Sequence, residues 1–200
     1  KTFTEFVGTT INLSIPTREG CTFTHFTLND VVYDNNTYTF GEDDATLVAH
    51  YEINTYLITY DLDGGAANNA SNYTIEDTVT LNNPTKEGYT FVGWTGTGLT
   101  DATKNVSFSN QTGNRHYKAN YIANKSTLSI DPNGGTYEGH ADTVNITEDY
   151  GTVITLSTPE KRGYTFNTWY DENNVIYNKD TYTFGNDNLS LKAIYSIIIS

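Results

Sequence analysis

The stretch Pro84-Thr-Lys-Glu-Gly-Tyr-Thr-Phe-Val-Gly-Trp94 decides how this chain is organised, because the chain contains it more than once. It returns as Pro159-Glu-Lys-Arg-Gly-Tyr-Thr-Phe-Asn-Thr-Trp169 and, more loosely, as Pro16-Thr-Arg-Glu-Gly-Cys-Thr-Phe-Thr-His-Phe26. The copies stand roughly 70 residues apart, and a fixed period of this size is the signature of a tandem array. The 200 residues therefore divide into small repeated modules.

Two further landmarks recur in the same order around this stretch. The segment Tyr60-Asp-Leu-Asp-Gly-Gly65 is matched by Ile130-Asp-Pro-Asn-Gly-Gly135, and a closing apolar strand ends on Tyr51, Tyr121 or Tyr195. Because three landmarks keep one order at nearly one period, the repeat covers almost the whole chain.

The landmarks set the predicted module boundaries. We predict an incomplete module at 1–51, complete modules at 56–121 and 126–195, and four-residue linkers at 52–55 and 122–125. The first module lacks the strand that carries the two glycines, so the chain is expected to begin inside an array. The edge left without that strand is expected to be exposed and to pair with another chain. Short linkers without Gly/Ser-rich or Pro-rich composition favour a fixed geometry between modules.

Each module is predicted to consist mainly of strands. Tyr56, Ile58, Tyr60 and Leu62 fall on alternate positions, the period of a half-buried strand. No stretch carries the sustained apolar stripe of a long helix. The paired glycines suit turns that require positive φ. The motif positions expected to be structural are Gly64, Gly65, Pro84, Gly88, Tyr89, Phe91, Gly134, Gly135, Pro159, Gly163, Tyr164 and Phe166.

Asp-x-x-Gly-Gly, followed by Pro-Thr-Lys-Glu-Gly-Tyr-Thr-Phe-x-Gly-Trp and a closing apolar strand, resembles the Listeria–Bacteroides repeat, also called the internalin B-repeat. The first module departs from the pattern, with Cys21 for the Tyr and Phe26 for the Trp. The resemblance implies a mainly β fold (α+β at most) of tandem β-grasp-like, ubiquitin-like modules with little helix. It also implies secreted or wall-attached bacterial proteins and no enzymatic activity. We expect an elongated rod in an extracellular or cell-surface location.

Composition narrows the classes of partner. The formal net charge is −13 and the pI is near 4.4, which argues against nucleic acid and against anionic membrane surfaces. A single cysteine excludes an internal disulfide. The longest aliphatic run, 197–199, is far shorter than a membrane helix, so no membrane insertion is expected.

The sequence contains no candidate catalytic site that recurs from repeat to repeat. None of the four histidines recurs at an equivalent position, which excludes a repeated zinc or acid–base site built on His. No nucleophile elbow, phosphate-binding loop or His-Glu-x-x-His motif is present. Cys21 stands at the position of Tyr89 and Tyr164, which is expected to face the core, so the thiol is expected to pack there. We predict no cofactor.

Acidic turns leave calcium as an alternative. Asp61 and Asp63 recur as Asp131 and Asn133, and oxygen-rich turns of this kind are candidates for a hard cation. None carries the complete loop of a known calcium motif, and Asp and Asn also form such turns by bonding their own backbone. A calcium-stabilised rod therefore stays an alternative to a metal-free one.

Aromatic residues and variable connections provide the binding candidates. Trp94, Trp169 and Tyr170 are candidates for contact with a sugar, although repeated landmark tryptophans also suit a core. The connections 95–107 and 170–182 differ between modules, as exposed binding loops do. The sequence favours a non-enzymatic stalk with a possible adhesion surface. Its alternative is a module that recognises a glycan or a host protein through these two loops.

Overall fold

The protein is described from a computed structural model, which covers residues 1–199 and consists of strands and turns with no helix among those residues. This confirms the prediction of a β-rich chain without long helices. The chain divides into two compact units. The first contains residues 1–61, 68–82 and 94–118, and the second contains the remaining described residues.

The first repeat contains five strands. They are β1 (Thr10–Asn12), β2 (Cys21–Leu28), β3 (Val31–Tyr33), β4 (Thr37–Thr39) and β5 (Leu47–Ile53). Strand β2 is central in an antiparallel sheet of order β3-β2-β5, and β1 pairs with β4. Asn29 and Asp30 join β2 to β3 with φ of 51° and 62°. Two successive residues with positive φ match the right-handed twist of a two-residue hairpin.

The second repeat contains six strands. They are β6 (Tyr56–Asp61), β7 (Asn72–Tyr73), β8 (Thr78–Thr80), β9 (Tyr89–Gly96), β10 (Ser107–Ser109) and β11 (Arg115–Ala123). The larger sheet has the order β7-β6-β11-β9, and β8 pairs with β10 in a separate two-stranded sheet. Strands β6 and β11 run parallel, with Ile58 opposite Arg115. The first strand of the repeat therefore lies beside its last.

The third repeat has the same arrangement with one strand more. Its strands are β12 (Lys125–Asp131), β13 (Val144–Asp149), β14 (Val153–Thr155), β15 (Tyr164–Asp171), β16 (Ile176–Tyr177), β17 (Thr181–Thr183) and β18 (Leu189–Ile197). The larger sheet has the order β13-β12-β18-β15-β16, in which β12 and β18 run parallel, and β14 pairs with β17.

The alternation predicted for β6 is present in the structure, and its equivalent β12 is also buried on alternate residues. In β6, Ile58 is 3% exposed while its neighbours Leu57 and Thr59 face solvent. In β12, Leu128 and Ile130 are fully buried. Burying one face of a strand on every second residue gives each sheet a water-excluded side and a wet side.

The predicted four-residue linkers are longer than the connections in the structure. Strand β5 reaches Ile53 and β6 begins at Tyr56, while only Asn124 separates β11 from β12. The chain stays hydrogen-bonded through these connections, since the amide of Asn124 donates to the carbonyl of Gly88 over 2.9 Å. The strands therefore run into both predicted linkers.

Candidate interaction surfaces

The lysine of the repeated motif packs between two tyrosine rings. The Lys86 ammonium lies 4.4 Å from the centroid of the Tyr89 ring and 5.1 Å from that of Tyr121. It also pairs with the Asp63 carboxylate at 3.1 Å. A cation over two aromatic faces is attracted by both ring quadrupoles. We call this arrangement the lysine clasp.

The third repeat builds the same lysine clasp from equivalent residues. Lys161 lies 4.8 Å from the Tyr164 ring centroid and 5.3 Å from that of Tyr195, and it donates to the carbonyl of Asn133 over 2.9 Å. The expectation that the Tyr89/Tyr164 position faces the core is wrong, because Tyr164 is 40% exposed and Tyr89 is half-buried. These rings cover a cation at the end of the sheet.

The Gly-Gly turn fits beneath the second tyrosine of the clasp. The Tyr195 hydroxyl donates to the carbonyl of Pro132 over 2.8 Å. A Cβ at Gly135 would lie 2.6 Å from the Tyr195 hydroxyl oxygen and would also overlap the carbonyl of Glu160. Gly134 has a φ of +77°, the left-handed region that L side chains rarely adopt. Gly134 is therefore needed for its backbone conformation, and Gly135 is needed because a side chain would not fit.

The second repeat shows the same fit between Tyr121 and its turn. The Tyr121 hydroxyl donates to the carbonyl of Leu62 over 3.1 Å, and a Cβ at Gly65 would overlap that hydroxyl. Burial raises the pKa of the Tyr121 phenol, as does the nearby charge of Asp63, while Lys86 opposes the shift. The phenol is therefore held in the neutral form that can donate.

A junction between the first and second repeats lies within the first unit. The amide of Asn54 donates to the carbonyl of Gly20 over 2.9 Å. A Cβ at Gly20 would lie 2.7 Å from the Cβ of Ile75, so the side chain of Ile75 covers this glycine. The Thr22 hydroxyl also donates to the Asn54 side chain over 2.6 Å.

A matching junction between the second and third repeats lies within the second unit. The amide of Asn124 bonds to Gly88 over 2.9 Å, and the Thr90 hydroxyl donates to the Asn124 side chain over 2.6 Å. The ring of Tyr150 covers Gly88, so that any Cβ there would overlap it. Tyr150 is equivalent to Ile75 in the repeat. Two junctions in one chain therefore use the same positions.

Sequence reasoning missed Ile75 and Tyr150 because an aliphatic residue and an aromatic residue do not look like one conserved motif position. A signal was available, since both stand three residues before the first residue of β8 or β14. The equivalent of Gly88 in the third repeat is Gly163, where a β-carbon would point into open space.

The two tryptophans lie inside the protein. Trp94 has no exposed surface and packs 5.9 Å from the Tyr60 ring, measured between ring centroids. Trp169 is 4% exposed and packs 5.0 Å from the Phe166 ring. Because both indoles are enclosed, neither can offer a face to a sugar without local unfolding. Tyr170 is half-buried within β15, opposite Ile176.

The two predicted binding loops are partly ordered strand. In 95–107, Thr103 exchanges backbone hydrogen bonds with Trp94 at 2.8 and 2.9 Å, and Val106 is buried. The segment 170–182 contains β16 and the start of β17, with Tyr182 buried. Their exposed parts are therefore shorter than the predicted ranges.

Sequence analysis also did not identify the buried Arg115, which lies close to the segment 95–107. Arg115 is 9% exposed and donates to the Tyr73 hydroxyl at 3.2 Å, the Tyr117 hydroxyl at 3.1 Å and the Gln111 side chain at 2.9 Å. Its guanidinium lies 4.2 Å from the Phe108 ring centroid. Arginine is almost never fully buried without partners, and here the partners are three neutral oxygen acceptors and a ring face.

The repeat positions agree with a known family profile. The profile of the Listeria-Bacteroides repeat domain matches residues 56–122 and 127–194. The chain belongs to the Listeria–Bacteroides repeat family. Both Gly-Gly turns and the lysine clasp of the second repeat lie within these matched ranges.

Several larger bacterial proteins contain regions similar to this Listeria–Bacteroides repeat chain. A proposed Gly-rich membrane protein of Evansella cellulosilytica is 29% identical over 163 residues, which is 78% of this chain and 18% of that protein. A second proposed membrane protein of the same organism is 27% identical over 191 residues, or 91% and 27% of the two chains. Internalin H of Listeria monocytogenes is 33% identical over 137 residues, or 64% and 24%. The chain spans less than a third of the length of these relatives.

The acidic turns of the Listeria–Bacteroides repeats have partners within the fold. Asp131 accepts a hydrogen bond from the amide of Asn133 over 2.8 Å, the local turn that aspartate forms with its own backbone. Within residues 1–199, no group of three or more His, Cys, Asp or Glu side chains is arranged to hold a metal ion. Over the same residues, no helix has the length and apolar character needed to span a bilayer.

Proposed function

We propose that this chain is a non-enzymatic spacer within a bacterial surface protein, in which tandem β-grasp-like modules form a rod that projects other domains. Membership of the Listeria–Bacteroides repeat family and the similarity to an internalin and to proposed membrane proteins support a surface-protein repeat region. The observation that carries the spacer role is the repeated junction.

The junction supports the proposal because its contacts restrict the backbone between two repeats, which would be free to move in a flexible array. Asn124 alone separates β11 from β12, and its amide and side chain are both bonded to the second repeat. The side chain of Tyr150 adds an apolar contact on Gly88. A connection fixed by hydrogen bonds and packing behaves as a stiff joint, unlike a Gly/Ser-rich linker.

The charge of the chain supports an extended array. With 24 acidic and 11 basic residues, the repeats carry a net charge of −13, and like-charged modules repel one another. Repulsion of this kind favours separation between modules and keeps a long array soluble.

Small-angle X-ray scattering of the whole chain tests the spacer role. Inserting Gly-Ser-Gly-Ser after Asn124 should change the maximum dimension and give the scattering profile of a jointed particle. The matched control places the same insertion after Gly139, which has open space around its α-carbon. Identical profiles for the wild type and the Asn124 insertion would show that the joint is already flexible and would contradict the proposal.

A second proposed function is recognition of a glycan or a host protein through the segments 95–107 and 170–182. The observation that favours it is the difference between them, since the third repeat adds β16 while the second holds a single bridge between Trp94 and Thr103. Surfaces that vary on a common scaffold are where binding specificity diversifies. Exchanging the two segments between repeats should redirect binding in a glycan array, whereas a pure spacer would bind nothing before or after the exchange.

A further inference from the structure

Two histidines of the first repeat face each other across neighbouring strands. His25 of β2 lies directly opposite His50 of β5 in their antiparallel pair. The two imidazole rings are stacked, with 4.8 Å between their centroids and 7° between their planes. The strand pairing and the side-chain contacts that hold this arrangement all lie within residues 21–53.

A β-bulge brings a threonine to the same side of the sheet as the histidine pair. The register of β2 against β5 shifts between Phe23 and His25, so Thr24 is the extra residue. Adjacent side chains of a regular strand point to opposite faces, whereas a bulge changes the direction of a side chain. The bulge therefore allows the Thr24 hydroxyl to lie 3.0 Å from Nδ1 of its neighbour His25.

The hydrogen bonds of Thr24 determine which nitrogen of His25 can bind a ligand. The Thr24 hydroxyl has one proton, which it donates to the carbonyl of His50 over 3.1 Å. Toward His25 the hydroxyl is therefore the acceptor, and Nδ1 of that ring carries the hydrogen. The free lone pair of His25 is then on Nε2. A histidine that donates from one ring nitrogen and keeps a lone pair on the other is in the form that binds metal ions.

His50 is the more exposed ring of the pair. It faces solvent, whereas His25 is half-buried, and its Nε2 lies 2.9 Å from the hydroxyl of Thr27. Rotation of a histidine ring about its Cβ–Cγ bond has a broad energy profile. His50 can therefore leave Thr27 and direct a nitrogen toward the space beside Nε2 of His25.

The spacing of the two rings suits one shared metal ion. Imidazole nitrogen binds zinc at about 2.0–2.1 Å, so two rings on one ion have their centres about 4.5–5.2 Å apart for bond angles of about 90–110°. The observed 4.8 Å lies within this range, and only the direction of the His50 ring has to change. We propose that His25 and His50 bind one divalent late transition-metal ion of the Cu²⁺, Ni²⁺ or Zn²⁺ class, with water at its other positions.

The third repeat has the same backbone arrangement without the ligands. Thr168 lies opposite Ile194, next to a register shift that follows Phe166. The site is therefore a property of the first repeat, placed on a strand pair that another repeat also builds. Its two protein ligands are fewer than the groups of three or more that are absent from residues 1–199. The net charge of −13 favours the approach of a cation.

Isothermal titration calorimetry of the untagged whole chain tests the site with CuCl₂, NiCl₂ and ZnCl₂. We expect one ion per chain, with Cu²⁺ bound most tightly, and no such binding of Ca²⁺, which prefers oxygen ligands. His25→Gln and His50→Gln should each weaken binding about tenfold or more, and the double variant should bind little more weakly than either, because the two rings act as one chelate. The matched controls His116→Gln and His140→Gln should bind as the wild type does. Equal weakening by the controls, or two independent ions, would overturn the proposal.

The two threonines provide a readout specific to this geometry. Thr24→Val should weaken binding about tenfold, because His25 loses the acceptor that sets its tautomer. Thr27→Val should bind at least as tightly as the wild type, because it removes the group that competes for His50. Weaker binding by the Thr27 variant than by the Thr24 variant would contradict the assigned roles.

Spectroscopy and stability measurements complete the test. Electron paramagnetic resonance of the Cu²⁺ complex should show coupling to two imidazoles in the wild type and to one in His50→Gln. Zn²⁺ should raise the unfolding midpoint of the wild type, because the bound ion links β2 to β5, and should leave that of His50→Gln unchanged. The midpoint of each variant without metal shows that it is folded. Coupling to a single imidazole in the wild type, or an equal rise in both proteins, would overturn the proposal.

Discussion

The ring of Tyr150 lies directly on the backbone of Gly88, leaving no room there for a β-carbon. Gly88 has a φ of +76°, and Gly163 occupies the same repeat position with a φ of +80° and open space on the side where a β-carbon would lie. The two glycines therefore share a backbone conformation and differ in the neighbour that covers them.

Substituting each glycine separately should measure the junction. Gly163→Ala should cost about 1 kcal/mol, the strain of an L residue in the left-handed region. Gly88→Ala should cost about 1–3 kcal/mol more, because the methyl group overlaps the Tyr150 ring. Urea unfolding of both variants provides the comparison. Adding Tyr150→Ala to Gly88→Ala should remove most of the excess, and equal losses for the two glycine variants would rule out tight packing at the junction.

The second glycine of the turn should be less tolerant than a glycine in open space. Gly135→Ala places a methyl group against the Tyr195 hydroxyl and the Glu160 carbonyl, so we expect a loss of about 2–3 kcal/mol in unfolding free energy. The matched control is Gly185→Ala, whose new methyl meets nothing within 4 Å. Thermal unfolding followed by circular dichroism would compare them, and a midpoint for Gly135→Ala no lower than that of the control would refute the steric explanation.

The buried Arg115 should be more important for stability than an ordinary surface arginine. Arg115→Ala removes three side-chain hydrogen-bond partners and the Phe108 contact, and we expect a loss of about 2–4 kcal/mol. Arg115→Leu should lose less, about 1–2 kcal/mol, since Leu189 fills the equivalent position in the third repeat. Chemical denaturation gives both values. If the two variants were equally stable, packing would contribute nothing beyond the polar contacts.

Alkaline pH should destabilise the fold through Tyr60. Burial, with a smaller contribution from Tyr117, raises the pKa of the Tyr60 phenol from 10.0 to about 12. Because the folded chain holds this proton more tightly than the unfolded chain, the contribution is complete below pH 10 and is lost as the pH rises to about 12.

Stability measured against pH checks this assignment. Tyr60→Phe should flatten the decline between those two values, while costing about 1 kcal/mol at neutral pH through the lost hydrogen bond to the carbonyl of Ala70. Ultraviolet titration of the phenolate in the wild type should show a late-titrating tyrosine that the variant lacks. A decline of the same slope in both proteins would assign the pH dependence to other groups.

The sequence predicted those features that depend on the direction of a side chain along a strand. Ile58 was expected to fall on the buried face by alternation, and it is 3% exposed. The paired glycines were expected to form turns, and Gly64 and Gly134 have positive φ. Alternation depends only on the local sequence of a strand, so it can be predicted without knowing what packs against the sheet.

What the sequence could not supply was the identity of the neighbour on each face. Alternation predicted that Tyr164 faces the core, yet it covers Lys161 at the end of the sheet and is 40% exposed. Arg115 belongs to a residue type that is normally exposed, and only the surrounding hydroxyls and ring make its burial favourable. Contacts between distant segments decide both cases.

The parallel pairing of β12 with β18 determines how a repeat would respond to force. Leu128 lies opposite Leu189 and Asp131 opposite Lys192, so the strand that enters the third repeat runs beside the strand that leaves it, in the same direction. Tension applied to the two ends of this repeat would pull the strands past each other along their length. Every hydrogen bond between them would then be loaded together, whereas an antiparallel hairpin pulled from its open end breaks one bond at a time. A repeat built in this way would resist tension along the chain, because the hydrogen bonds between these two strands would have to break together.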